Sequence, residues 1–196
     1  MRRFLEIAFV LLIGLGIGGA VSWLSIQNRL GFGALRLGAW TSWPLAGSAG
    51  ADPYTRAKVA AEGEIPLGAA EGIAFLARTD DAGEPLRREC RYTLVGRTPP
   101  ARFWTLSAHD LSGAALAHRA GSPAAQRGLV SRELLREADG SVQVTVGRGA
   151  GAANWLPTQG SGPYQLVLRL YDAQLAATEG NRSDLMPAIR FAGCPA

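Results

Sequence analysis

An apolar run opens this chain and constrains most of what the remainder can be. From Phe4 to Ile26 the single charge is Glu6, and Ile7 to Leu24 carries none. A bilayer core is crossed by about 20 apolar helical residues, so this run is long enough to span. Arg2 and Arg3 precede it, and basic residues stay on the cytoplasmic side. The reading is a single-pass helix in a bacterial inner membrane, with the N-terminus cytoplasmic and the domain periplasmic. The lipid bilayer is then its first partner. Trp23 falls where the outer interface would be, a level favoured by amphipathic rings. A cleaved signal sequence competes with this reading, because Gly18-Gly19-Ala20 is an acceptable small-residue cleavage site. Against it, a signal core is usually about 7–15 residues. This run instead continues through Val21, Trp23, Leu24 and Ile26. Both readings export the domain.

Two glycine patterns lie inside the run. Gly14 to Gly19 matches G-x-G-x-x-G, but no strand precedes it. The dinucleotide-binding reading needs a βαβ unit and is rejected. Gly14 and Gly18 also form G-x-x-x-G, a spacing that lets two membrane helices approach and form a dimer. Glycine is common in membrane helices in any case.

Past residue 26 some 170 residues remain of 196, enough for one domain with a core. The organisation expected is a cytoplasmic tip and transmembrane helix over 1–26, a juxtamembrane connector over 27–51, and one domain over 52–196. Gln27 to Trp43 contains Gly31, Gly33 and Gly38 and is expected to hold little regular structure. Asp52-Pro53 then starts a helix that runs to Glu62. Asp52 can cap free N–H groups, Pro53 suits the first position, and Gly63 is a natural stop.

Beyond that helix the apolar period changes to two. Strands are expected over Gly72–Arg78, Cys90–Val95, Arg102–Ala108, Ser141–Val146 and Tyr164–Tyr171. Asp80-Asp81-Ala82-Gly83, Asp110 to Gly113, and Asp139-Gly140 supply turns, since Asp side chains bond local backbone and Gly takes positive φ. Ser131 to Leu135 reads as a strand or a short helical turn. Short strands separated by turn signals argue for an antiparallel sandwich or barrel.

Nineteen of the 20 basic residues are Arg, and they are dispersed among acids, giving a net charge of +4. No basic block with interleaved aromatics exists, so nucleic acid is not an expected partner. The two cysteines, Cys90 and Cys194, favour a disulfide in an exported domain, with two unpaired thiols as the alternative. Neither has zinc-site spacing, and no metal or other cofactor is expected.

With these strands placed, the chain resembles the family called domain of unknown function 1214. The resemblance rests on Gly38-Ala39-Trp40, Ala51-Asp52-Pro53-Tyr54-Thr55-Arg56-Ala57 and Pro99-Pro100-Ala101-Arg102-Phe103-Trp104-Thr105-Leu106. Asn154-Trp155-Leu156-Pro157, Gly162-Pro163-Tyr164 and Leu168-Arg169-Leu170-Tyr171-Asp172 complete it. It implies a mainly β fold, an antiparallel β-sandwich of jelly-roll type with a short N-terminal helix, here preceded by one transmembrane helix. In larger relatives the domain follows another, the domain of unknown function 1254. The resemblance therefore implies a separately encoded partner of that type. It carries over no catalytic residues. One departure stands out: Ala108-His109-Asp110 occupies a turn that in the family usually reads Leu-Tyr-Asp.

The candidate ligand-binding surface is Arg102, Trp104, Asn154, Trp155, Arg169 and Tyr171. If their faces converge, guanidinium groups and rings would line a groove for an anionic or sugar-like ligand. The alternative is a sandwich core with the arginines pairing to Asp110 or Asp172 at its rim. The loop from Gly147 to Ala153 would let backbone approach a ligand, or is a plain connection. His109 and His118 read as structural residues, and Asp80, Asp81, Glu84 and Glu89 as a solvated turn. The functional expectation is a membrane-anchored periplasmic module for binding or assembly in the cell envelope. The alternative is an enzyme, or half of one, completed by a partner domain.

Overall fold

The computed structural model describes residues 2–26, 33–62, 66–68, 70–116, 128–149, 153–173 and 186–194. Helix α1 runs Arg2–Ile26, matching the expected span. Its apolar window has a mean hydropathy of 2.3, and none of it is buried within the protein. Helix α2 runs Pro53–Glu62. The Asp52 carboxylate accepts the Tyr54 N–H at 2.9 Å and the Thr55 N–H at 3.1 Å, the cap expected there. Gly63 and His118 lie outside the described residues.

The described residues form ten strands: β1 Leu35–Leu37, β2 Trp40–Ser42, β3 Gly72–Ala77, β4 Arg91–Gly96, β5 Phe103–His109, β6 Leu129–Val130, β7 Val142–Gly147, β8 Asn154–Pro157, β9 Gln165–Tyr171 and β10 Ala188–Gly193. They form a six-stranded sheet, ordered β1-β2-β3-β9-β5-β6, and a four-stranded sheet, ordered β10-β4-β7-β8. From β3 to β5 the chain passes from one sheet to the other and back. Period-two alternation explains the core. Phe75, Leu106, Tyr164, Leu166, Leu168 and Leu170 from one side meet Leu94, Val144, Leu156 and Ile189 from the other in a single buried cluster. Trp40 ties the sheets together, its indole N–H donating to the Pro187 carbonyl at 2.8 Å.

Four expectations change. Residues 35–42 are a hairpin paired to β3 rather than an irregular connector, because Leu37 and Trp40 bury their side chains in the core. The sheets are not wholly antiparallel, since β7 and β8 pair in parallel, Val144 opposite Asn154 through Gly147 opposite Pro157. Ser131 to Leu135 is turn and bend that follows β6, neither strand nor helix. The turn at residue 80 is not freely solvated: Asp80 is buried and accepts the Ala82 and Glu84 amides, while Asp81 accepts the Ile189 amide.

Cys90 and Cys194 form a disulfide, 104 residues apart. The pairing follows from register. β10 runs antiparallel to β4 with Gly193 opposite Arg91, which sets the next residue of each strand side by side.

Candidate functional site

The outward face of the six-stranded sheet carries a partly enclosed candidate site. Central strand β9 turns Leu166, Leu168 and Leu170 inward, so Arg169 and Tyr171 point the other way. Arg169 stands between Ala74 of β3 and Thr105 of β5. Tyr171 stacks on Phe103 of β5, ring centroids 4.4 Å apart and 10° from parallel. Arg132 lies over the far side of that pair, 5.5 Å from the Phe103 ring.

Helix α2 and the segment before it roof this face. Thr55 and Lys58, one turn apart, are the buried residues of α2, at 4 % and 7 % exposure. The Lys58 ammonium sits 4.2 Å from the centroid of the Trp43 ring, a cation–π contact in a sheltered place. Between roof and sheet is a cavity of about 140 Å³ lined by Trp43, Lys58, Val59, Leu76, Arg169 and Tyr171 among others. Gly72 forms part of its floor: a Cβ there would stand 2.1 Å from the Leu170 carbonyl oxygen, so only glycine lets β3 lie this close to β9. Two cations and two aromatic rings therefore share one small apolar-walled space.

The six residues expected to form one groove do not line one surface. Arg169 and Tyr171 belong to the cavity just described. Trp104 is buried in the core, 4 % exposed, with its amide donating to the Ser131 hydroxyl at 3.0 Å. Arg102 is exposed at the start of β5, its amide donating to the Tyr171 carbonyl. Asn154 and Trp155 lie on β8, in the other sheet. Asn154 is a buried clamp: its side chain donates to the Leu135 and Gln143 carbonyls and accepts the Leu135 amide. The Trp155 indole N–H donates to the Gly147 carbonyl at 3.1 Å. Lys58 and Trp43 were not anticipated. The signal was present in a weak form, Thr55 and Lys58 at helical spacing, but a lysine on a short helix normally reads as solvated.

His109 is held at both nitrogens. Nδ1 donates to the Gly113 carbonyl at 2.8 Å, which leaves Nε2 to accept the Ser107 hydroxyl at 2.9 Å. The expected structural role fits this geometry, since the ring closes the turn after β5. Among the described residues no group of three or more His, Cys, Asp or Glu could hold a metal.

A family model described as "Protein of unknown function (DUF1214)" matches residues 71–175, more than half of the chain. The chain belongs to this family. Of solved structures, the VPA0106 protein from Vibrio parahaemolyticus is similar to this DUF1214 protein, with a TM-score of 0.57 and 20 % identity over 73 % of the chain. An uncharacterized protein from Burkholderia cenocepacia also matches, with a TM-score of 0.37 and 17 % identity over 76 % of the chain. The chain spans 36 % and 46 % of the lengths of those two proteins. The Vibrio likeness shows the fold alone. No curated protein matches the chain.

Proposed function

We propose that this DUF1214 protein is a single-pass, membrane-anchored binding module of the bacterial cell envelope, its two-sheet domain on the periplasmic side of the inner membrane. The observation that carries the reading is the bareness of α1, whose membrane-length window is 0 % buried. So much apolar surface is stable against lipid and not against water. Arg2 and Arg3 supply the orientation. The Cys90–Cys194 bond agrees with an oxidising compartment. The jelly-roll connection is part of this proposal, supported by the passage of the chain between sheets from β3 to β5.

Within the domain, the cavity under α2 is the binding site for a small organic anion. Lys58 and Arg169 would meet the charge, while Trp43, Tyr171 and Leu76 face the apolar body. A cavity near 150 Å³ admits about one six-membered ring.

Topology is tested by C-terminal fusions. Alkaline phosphatase should be active and a cytoplasmic fluorescent reporter dark, and carbonate washing should leave the chain in the membrane. A mature chain that begins at Val21 would replace the anchor with a signal sequence. Gly14 and Gly18 are proposed to pair two anchors, supported by the open space around both positions. Gly18→Ile should abolish crosslinking between helices, and unchanged crosslinking would end that idea. A partner of the domain of unknown function 1254 type is supported by the greater length of the relatives. It should copurify from mild detergent, and recovery of the chain alone would count against it.

The enzymatic reading has one specific support, the Ser107 hydroxyl donating to His109 Nε2. That is the connectivity of a nucleophile and its base. A fluorophosphonate probe would label Ser107 in the native protein but not in His109→Ala. Absence of labelling removes this reading.

A further inference from the structure

A second place on the molecule gathers three arginines, Arg88, Arg91 and Arg148. It lies where β7, β8 and β10 end, on the four-stranded sheet away from the α2 cavity. Arg91 Nη2 donates to the Arg148 carbonyl at 3.2 Å, and Arg148 Nη2 donates to the Gly160 carbonyl. Both guanidinium groups are thus fixed by backbone acceptors and meet no carboxylate among the described residues. Arg88 stands beside them. Its carbonyl accepts the Thr158 hydroxyl at 2.8 Å, while its own Nε is buried with no acceptor among the described residues. Two acids are close: Asp110 feels the Arg88 charge, and Glu89, which lines the cleft, is already engaged by Arg87 Nε at 2.7 Å and by the Gly162 amide at 2.9 Å.

The surrounding loops keep these groups accessible. Gly149 and Gly160 have φ of 82° and 83°, a region L side chains rarely adopt. A Cβ at Gly149 would stand 3.5 Å from Arg91 Nη2, and one at Gly160 would stand 3.8 Å from Arg88 Nη1. Glycine therefore leaves both guanidinium edges uncovered. An open cleft of about 340 Å³ results, lined by Arg148, Trp155, Thr158 and Gln159 with the two glycines. It shares Arg148 and Gly149 with a second cleft of about 440 Å³ that Glu89 and Arg91 also line. Trp155 is half-buried, and its indole N–H is tied to the Gly147 carbonyl, so the ring is fixed in orientation.

We propose that this cleft binds an acidic saccharide, a sugar chain carrying carboxylate or phosphate groups. Planar guanidinium groups recognise such oxyanions with paired N–H donors. A fixed indole offers an apolar face to a sugar ring, and Gln159 offers amide hydrogen bonds to hydroxyls. Arg148 is the central residue, because it lines both clefts.

The test uses the full chain in phosphatidylcholine nanodiscs, with trigalacturonate, neutral maltotriose and inorganic phosphate as probes in calorimetry. Trigalacturonate should bind, and more weakly as salt rises. Arg148→Gln and Arg91→Gln should each weaken it by about tenfold, equivalent to about 1.4 kcal/mol. Arg36→Gln, on β1 of the other sheet, should bind as the native chain does. Unchanged thermal midpoints in all three variants show that folding is intact. Four results would each overturn the proposal: no trigalacturonate binding up to about 10 mM, equal binding of maltotriose, phosphate binding as tightly as the saccharide, or full affinity in both arginine variants.

Discussion

Aspartate performs one recurring task in this protein. Asp52 caps α2, Asp110 accepts the Ser112 and Ala114 amides, and Asp139 accepts the Ser141 amide. Hydroxyl groups of Thr55, Ser112 and Ser141, ahead of the backbone amides, hold these three carboxyls below the usual carboxylate range. Glu89 is held down too, by its own backbone amide and then by Arg87. A carboxyl whose folded pKa is depressed stabilises the fold above its unfolded pKa. That contribution is lost as pH falls through the folded value. Thermal midpoints should therefore be level from neutral pH to about pH 5 and fall below about pH 4. A midpoint that rises on acidification would contradict this. Tyr164 is the opposite kind of residue: it is wholly buried, burial pushes its phenol far up, and its hydroxyl has no partner among the described residues. Tyr164→Phe removes an unsatisfied polar atom while keeping the ring. It should leave stability unchanged or raise it by up to about 1 kcal/mol, read from urea unfolding.

At the scale of elements, the long alternating strands were legible and the short ones were not. β3, β4, β5, β7 and β9 fall within a residue or two of their expected positions; the first four pair a buried face with a more exposed one over six or seven residues, whereas β9 is buried on both faces in its first half. β1, β2 and β6 have only two or three residues each, too few for a period to register. β8 pairs in parallel with its immediate predecessor, and residue pattern does not report strand direction. The groove failed for a related reason. Alternation says which residues share a face of one strand, but β8 and β9 lie in different sheets, which only pairing decides. Half of the true cavity was visible in Arg169 and Tyr171; the other half came from α2, where a buried lysine breaks the usual patterning. The disulfide belongs to this scale as well. It fastens the last strand, β10, to β4. Cys90→Ala/Cys194→Ala should lose about 2–4 kcal/mol against urea. It should also speed hydrogen exchange at the Ile189 amide more than at the Leu168 amide. Equal protection at both would show that β10 does not need the bond.

For the whole molecule, α1 lies against α2 but contributes no residue to the core. Helix α1 has apolar side chains and no core to put them in, whereas the sheets share a closed core of their own. Deleting residues 1–26 should give a water-soluble domain with an unchanged urea midpoint. A domain that aggregates or loses cooperativity without α1 would mean that the helix is part of the fold.

The place where the sheet begins has a consequence of its own. α1 ends at Ile26 and β1 starts at Leu35, so residues 27–34 are all that separate them. Fully extended, that stretch reaches no more than about 30 Å. On the proposed topology, with α1 in the bilayer, the domain is a moored object that samples a thin shell next to the membrane and never the full depth of the compartment. Its encounters with other anchored proteins are then searches across a plane rather than through a volume. On that topology, anything rooted in the distant outer layer of the envelope must itself extend inward to touch it.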